Sequence, residues 1–219
     1  WLDARGAELR LATRVGRLER AGSAWRVDGE AFDSVVLACS AVEAARLSTP
    51  HAPDWSRAAG TFGYEPIVTV YLRSHGTHWA RPMVALQATS RHPAQFAFDL
   101  GALDADGCRA GLFAFVVSGA RQWVDHGLEA TGTAAVEQAL DAFPSGAWAQ
   151  PPIVERTLAQ RRATFLCVPD LPRPPARVAP GLAAAGDYIQ GPYPATLEQA
   201  VRSATAALDC LGVRAAAGR

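Results

Sequence analysis

Lysine is absent from these 219 residues: every one of the 21 basic side chains is arginine, balanced by 21 Asp and Glu to a net charge of zero. That excludes a Schiff-base or general-base lysine within the segment, and the missing positive field excludes a DNA- or RNA-binding role. Cysteine is scarce and scattered. Cys39, Cys108, Cys167 and Cys210 form no C-x-x-C, so they read as small core residues in a reducing cytoplasm and not as a metal or redox pair. His75 and His78 lack a third ligand nearby and read as loop residues, and no metal is expected. The longest apolar run, Gly111 to Ala120, falls well short of the ~20 residues of a membrane span, and no signal-peptide pattern is visible. Membrane contact is therefore expected only as peripheral association with the inner membrane. No G-x-G-x-x-G occurs, and Ser118 lies in no G-x-S-x-G elbow.

What is present is a globular composition, 49% hydrophobic and 19% charged, enough for a core in one or two domains. Short strand patterns at Glu8 to Ala12, Val15 to Arg20, Trp25 to Val27 and Phe32 to Ala38 are separated by Gly22-Ser23 and Asp28-Gly29 turns, which predicts a β-meander feeding a buried strand. Ser40 is placed to cap a helix from Ala41 to Leu47. After Pro50 to Pro53, strands are expected at Ile67 to Leu72, Met83 to Gln87, Phe96 to Phe98, Gly111 to Val117 and Ile153 to Leu158. One helix, from Leu128 or Thr131 to Phe143, interrupts them before Pro144. That pattern predicts a mostly antiparallel α+β layer. Phe96 and Phe98, and likewise Phe113 and Phe115, are two apart and share a strand face. They line a cavity or fill a core, and spacing does not choose between the two.

The end of the chain is the most telling stretch. Leu182 to Ala185 are small and apolar, as a buried parallel strand requires, and Gly186-Asp187 follows at its carboxyl end, where open α/β sheets bind ligands. Pro194 predicts a helix start, with Leu197, Val201, Ala204, Leu208 and Leu211 at helical spacing and Gly212 as terminator. The amides of Ala195, Thr196 and Leu197 would then point at whatever Asp187 touches.

These residues resemble the carboxyl-terminal signature of the FAD-dependent amine oxidase and phytoene desaturase superfamily. Gly6 to Val15, Asp33 to Ala38, Tyr64 to Arg73 and Arg161 to Phe165 extend the resemblance over nearly the whole chain and bring it nearest to squalene-associated FAD-dependent desaturases, the hydroxysqualene dehydroxylases of hopanoid-type pathways. The resemblance implies FAD as cofactor, with Asp187 bonding its ribityl and pyrophosphate region. The helix start faces the flavin's pyrimidine edge, and the Val15 backbone is offered to adenine unless Val15 is an ordinary strand residue. It also implies an apolar isoprenoid substrate held by Phe96, Phe98, Phe113 and Phe115. Arg161 or Arg162 either lies in solvent or reaches flavin phosphates or an anionic substrate group, and Glu65 is the carboxylate candidate beside substrate. The family's catalytic residues are not identified here. Gln199 and Ala204 depart from its pattern, standing where Gly is usual.

The implied architecture is α/β with an α+β substrate domain. Residues 1–50 and 178–219 form part of an FAD/NAD(P)-binding Rossmann-like domain lacking its amino-terminal βαβ unit, and residues 51–177 form the substrate domain. The start at Trp1, within an apparent helix end over Trp1 to Gly6, reads as the carboxyl-terminal portion of a longer enzyme. On that reading the piece alone is inactive, binds FAD weakly or not at all, and self-associates through apolar surface at Val35 to Leu37 and Leu182 to Ala185. Two other readings stand beside a flavin oxidoreductase of isoprenoids: another superfamily enzyme oxidising amines, carotenoids or porphyrinogens, and a non-enzymatic lipid- or protein-binding domain.

Overall fold

A computed structural model describes residues 4, 6–144 and 146–213; the helix end read at Trp1 to Gly6 falls largely outside them. In chain order the elements are β1 (Leu18–Ala21), β2 (Ala24–Val27), β3 (Glu30–Phe32), β4 (Val35–Leu37), α1 (Ala41–Ser48), α2 (Pro53–Gly60), β5 (Tyr64–Arg73), β6 (Met83–Ala85), β7 (Phe96–Asp99) and β8 (Leu112–Val117). There follow α3 (Arg121–His126), α4 (Leu128–Ala142), β9 (Ile153–Phe165), β10 (Arg177–Ala179), β11 (Leu182–Ala184) and α5 (Leu197–Cys210). They divide into two compact units, residues 1–62 with 167–219, and residues 63–166. The boundaries fall at Phe62/Gly63 and Leu166/Cys167, where the sequence reading places them at 50/51 and 177/178.

The first unit holds two three-stranded sheets. β1, β2 and β3 form the expected antiparallel meander, and the expected strand at Glu8 to Ala12 is absent: that segment is irregular, with Arg10 bonded to Glu8 and Glu30. The second sheet runs β10, β11, β4, with β11 parallel to β4 in the register Leu182 to Val35 and Ala184 to Leu37. Leu182 to Ala184 of the central strand β11 are fully buried, whereas Val36 of the edge strand β4 is partly exposed. Ser40 accepts a bond from the Glu43 amide and starts α1, as its position predicts. Pro53 occupies the first turn of α2, a helix that the Pro-rich patch conceals because the same residue type marks loops.

The second unit is a five-stranded antiparallel sheet in the order β6, β7, β8, β5, β9. Cross-strand partners give its two faces directly. One row runs Val84, Ala97, Phe115, Val70, Thr157, and the next core row contains Asp99, Phe113 and Leu72. That face packs on α4 through Ala135 and Ala139, with Trp79, Phe143 and Trp148 beside it. Gly132 lets α4 approach β9, since a Cβ there would meet Thr157 Oγ1 at 3.1 Å and Val154 at 3.3 Å. Gln138 reaches back from α4 to both backbone groups of Ala94, at 2.8 Å each. β9 is far longer than the Ile153 to Leu158 run, because Gln160 to Phe165 pairs with β5 although its charges disguise it as a loop.

Candidate cofactor site

Parallel pairing places the carboxyl ends of β4 and β11 at the same sheet edge. The Ala185 amide still bonds the Leu37 carbonyl at 3.0 Å; beyond it come Gly186 and Asp187 on one strand, Ala38, Cys39 and the start of α1 on the other. Gly186 is required there, because a Cβ would run into the Tyr188 ring. Ser203 of α5 fixes it on both sides, accepting from the Gly186 amide at 2.8 Å and lying 3.0 Å from its carbonyl. Asp187 is half-buried, and burial pushes its carboxyl above the usual range, partly offset by the backbone amides of Asp187 and Tyr188.

α5 begins later than Pro194 suggests. Thr196 is its cap and accepts from the Gln199 amide at 3.1 Å, so Leu197 is the first helical residue. The Ala195 amide is engaged by the Asp187 carbonyl at 3.3 Å, with Ala195 in the left-handed region at φ +58°. Asp187 and the helix start are thus joined by the backbone, and Thr196 and Leu197 sit at the helix entrance. The helix is also turned relative to expectation. Gln199, Ser203 and Ala207 are its buried face, whereas Leu197 is 88% and Val201 66% exposed. Gln199 explains the turn: it bonds the Gln190 carbonyl at 3.2 Å and fills the space beside Gly191.

Val15 lies outside the strands and lines an open, mostly apolar cavity of about 400 Å³ walled by Leu18, Val27, Val35 to Leu37 and Leu47. Arg14, Glu43 and Arg46 stand at it, and so does Cys39, whose thiol is pushed up by burial and then by Glu43. The Val15 and Gly16 carbonyls both accept from Arg46, each at 2.7 Å. Nothing in the sequence marks Arg46, a helix arginine like others, or Asp28, which reads as a turn residue; their partners lie far along the chain.

The four phenylalanines do not line one wall. Phe113 and Phe115 are fully buried in the second unit's core, with Phe113 against Trp79 and Trp148 at 4.5 and 5.0 Å between ring centroids. Phe96 and Phe98 point to the opposite sheet face, because their alternate residues Ala97 and Asp99 take the buried positions. Strand alternation between paired β7 and β8 thus puts Phe113 and Phe115 in the core and leaves Phe96 and Phe98 on the other face. Glu65 is held by Arg121 at 2.7 Å, and Arg161 and Arg162 are exposed along β9.

A mixed α/β chain whose two parallel strands end beside a Gly-Asp pair and a capped helix has the arrangement in which open sheets bind nucleotides. The chain belongs to the flavin containing amine oxidoreductase family, whose model matches residues 2–210, and the family implies FAD as cofactor. Its fold is similar to that of a putative protoporphyrinogen oxidase from Exiguobacterium sp. 255-15, at 15% identity and a TM-score of 0.61, over 94% of this chain and 47% of that one. An oxidoreductase from Methanosarcina mazei, at 15% identity and TM-score 0.63, is matched over 89% of this chain and 48% of its own. Cyclohexylamine oxidase from Brevibacterium oxydans IH-35A matches at 14% identity and TM-score 0.59, over 91% and 48%. The chain thus spans about half the length of these solved structures. No curated protein is significantly similar in sequence. Among the described residues no helix is long and apolar enough to cross a membrane.

The residues present fit a flavin dinucleotide. Asp187 offers a half-buried acceptor at the carboxyl end of β11, and the cavity that Val15 lines is mostly apolar, with Arg14 and Arg46 among its lining residues.

Proposed function

We propose that these residues belong to a flavin-dependent oxidoreductase acting on an apolar isoprenoid alcohol such as hydroxysqualene, in squalene or hopanoid biosynthesis. Residues 1–62 and 167–219 supply part of a Rossmann-like dinucleotide domain, and residues 63–166 supply substrate-binding surface. Asp187 accepts from a ribityl hydroxyl, the α5 entrance at Thr196 and Leu197 lies toward the flavin's pyrimidine edge, and Val15 meets adenine. A bound, reduced flavin would supply one hydride, which carries both electrons, to the carbon that loses its hydroxyl, and a proton taken up from solvent would let that hydroxyl leave as water.

The observation that carries the substrate reading is the uncovered face of the five-stranded sheet. Its rows run Met83, Phe98, Ala114, Tyr71, Arg156 and Ala85, Phe96, Val116, Thr69, Leu158. Met83, Phe96 and Leu158 are 51%, 41% and 40% exposed, a large apolar surface for a sheet face. Of the four rings, Phe96 and Phe98 are the ones offered to substrate; Phe113 and Phe115 support them from behind. A protonated amine finds no free carboxylate in those rows, which favours a hydrocarbon over an amine substrate.

The test is anaerobic single turnover of the intact, dithionite-reduced flavoprotein. Mixing with hydroxysqualene should reoxidise the flavin with formation of squalene, while cyclohexylamine or protoporphyrinogen mixed with the oxidised protein should not bleach it. Bleaching by the amine or the porphyrinogen, with no reaction of hydroxysqualene, would replace the isoprenoid reading by that substrate.

A further inference from the structure

We propose that Arg46 and Asp28 are positioning residues that hold the Val15–Arg17 segment in the shape that receives the adenosine half of the dinucleotide, and so set the preference for FAD over FMN. The proposal rests on the flavin reading above. Three consecutive residues outside any strand are gripped from two sides. On one side Arg46 donates from Nη2 to the Val15 carbonyl and from Nη1 to the Gly16 carbonyl, both at 2.7 Å, while its Nε is held by Glu43 at 2.9 Å. On the other, the Asp28 carboxylate accepts from the Gly16 amide at 3.0 and 3.1 Å and from the Arg17 amide at 2.9 Å. These amides hold the Asp28 carboxyl below its usual range, Gly16 contributing most.

The consequence is selective satisfaction of the backbone. The Val15 and Gly16 carbonyls and the Gly16 and Arg17 amides have charged partners, whereas the Val15 amide has none among the described residues, and Val15 lines the mostly apolar cavity. A mostly apolar cavity lined by a residue with an unmatched N–H donor suits an aromatic base whose edge carries acceptor nitrogens, as adenine does. The planar guanidinium is needed because it bonds two adjacent carbonyls at once; a lysine at position 46 would reach one. Asp28 itself adopts φ +50°, so the turn that aims its carboxylate is held against its own backbone preference.

FMN lacks the adenosine half, so a change confined to this segment moves FAD affinity and leaves FMN affinity alone. Kd values for FAD and FMN are measured by flavin fluorescence on the intact wild-type protein and on Arg46→Met, Arg46→Lys and Asp28→Asn. Hydrogen exchange of the Gly16 and Arg17 amides is followed in the flavin-free proteins. The expected result is a loss in FAD affinity of about tenfold in Arg46→Met with FMN affinity unchanged, a smaller loss in Arg46→Lys, and faster Gly16 and Arg17 exchange in Arg46→Met and Asp28→Asn. If wild type binds FAD and Arg46→Met keeps its full FAD preference, or loses FAD and FMN equally, the positioning role is overturned while the flavin reading stands. If wild type binds neither nucleotide, the flavin reading fails first and the inference with it.

Discussion

Asp187 carries the clearest pH signature at the level of single residues. Burial raises its folded pKa above the unfolded value, so its favourable contribution is present below the ordinary carboxyl range and is lost as pH rises through the raised value. In the flavin-free protein, Asp187→Asn should therefore gain stability relative to wild type as pH goes from about 4 to about 7. Paired thermal melts check this, and a constant difference across that window would show that burial does not penalise the carboxylate. With flavin the sign reverses. Asp187→Ala should weaken FAD binding roughly tenfold to a hundredfold, the equivalent of a charge-assisted bond of about 1.5 to 3 kcal/mol, read by dilution and fluorescence. The Gly186-Asp187 pair was legible in the sequence because a small apolar strand precedes it. The bond from the Ala195 amide to the Asp187 carbonyl was not, since it depends on Ala195 adopting φ +58°, which costs an alanine about 1 kcal/mol and has no sequence signal.

Among the elements, α5 shows how a helical pattern can be right in period and wrong in phase. Leu197, Val201 and Ala204 do recur at helical spacing, yet the stripe buried against Gly186 and Gly191 is Gln199, Ser203 and Ala207. Polar side chains win that face because the loop from Gly186 to Tyr193 exposes backbone groups that need partners, and burying leucine there would leave them unmatched. Ser203→Ala removes the acceptor of the Gly186 amide and should cost about 1 to 3 kcal/mol in urea unfolding. In the sheet of the second unit the contrast is between faces. Phe113→Ala should cost about 3 to 5 kcal/mol, whereas Phe96→Ser, on the open face, should change stability by about 0.5 kcal/mol or less. Equal losses from the two would mean that the Phe96 face is covered.

At the scale of the whole molecule, apolar side chains remain in the open on separate elements: Leu197 and Val201 on α5, Val36 on the edge strand β4, and Met83, Phe96 and Leu158 on the five-stranded sheet. Leu182 to Ala185, by contrast, are buried, Ala183 and Ala185 against Ala207 of α5, so the surface expected there is closed. The 219-residue chain in isolation should associate with rising concentration, and the double change Leu197→Glu with Val201→Glu should reduce it in sedimentation velocity. A monomer at all concentrations would contradict this.

Composition and local pattern determined the strand-rich middle, the α1 cap at Ser40, the small apolar strand at Leu182 and the Gly-Asp pair that follows it, because each depends on residues adjacent in the chain or at a fixed period. Tertiary structure alone decided which face of α5 is buried, which pair of phenylalanines enters the core, that Gln160 to Phe165 is strand, and that Arg46 and Asp28 meet around Val15. Each of these is settled by a partner far away in sequence: a loop's unmatched carbonyls, the register of a neighbouring strand, or a charged side chain satisfied by a backbone segment some thirty residues before it.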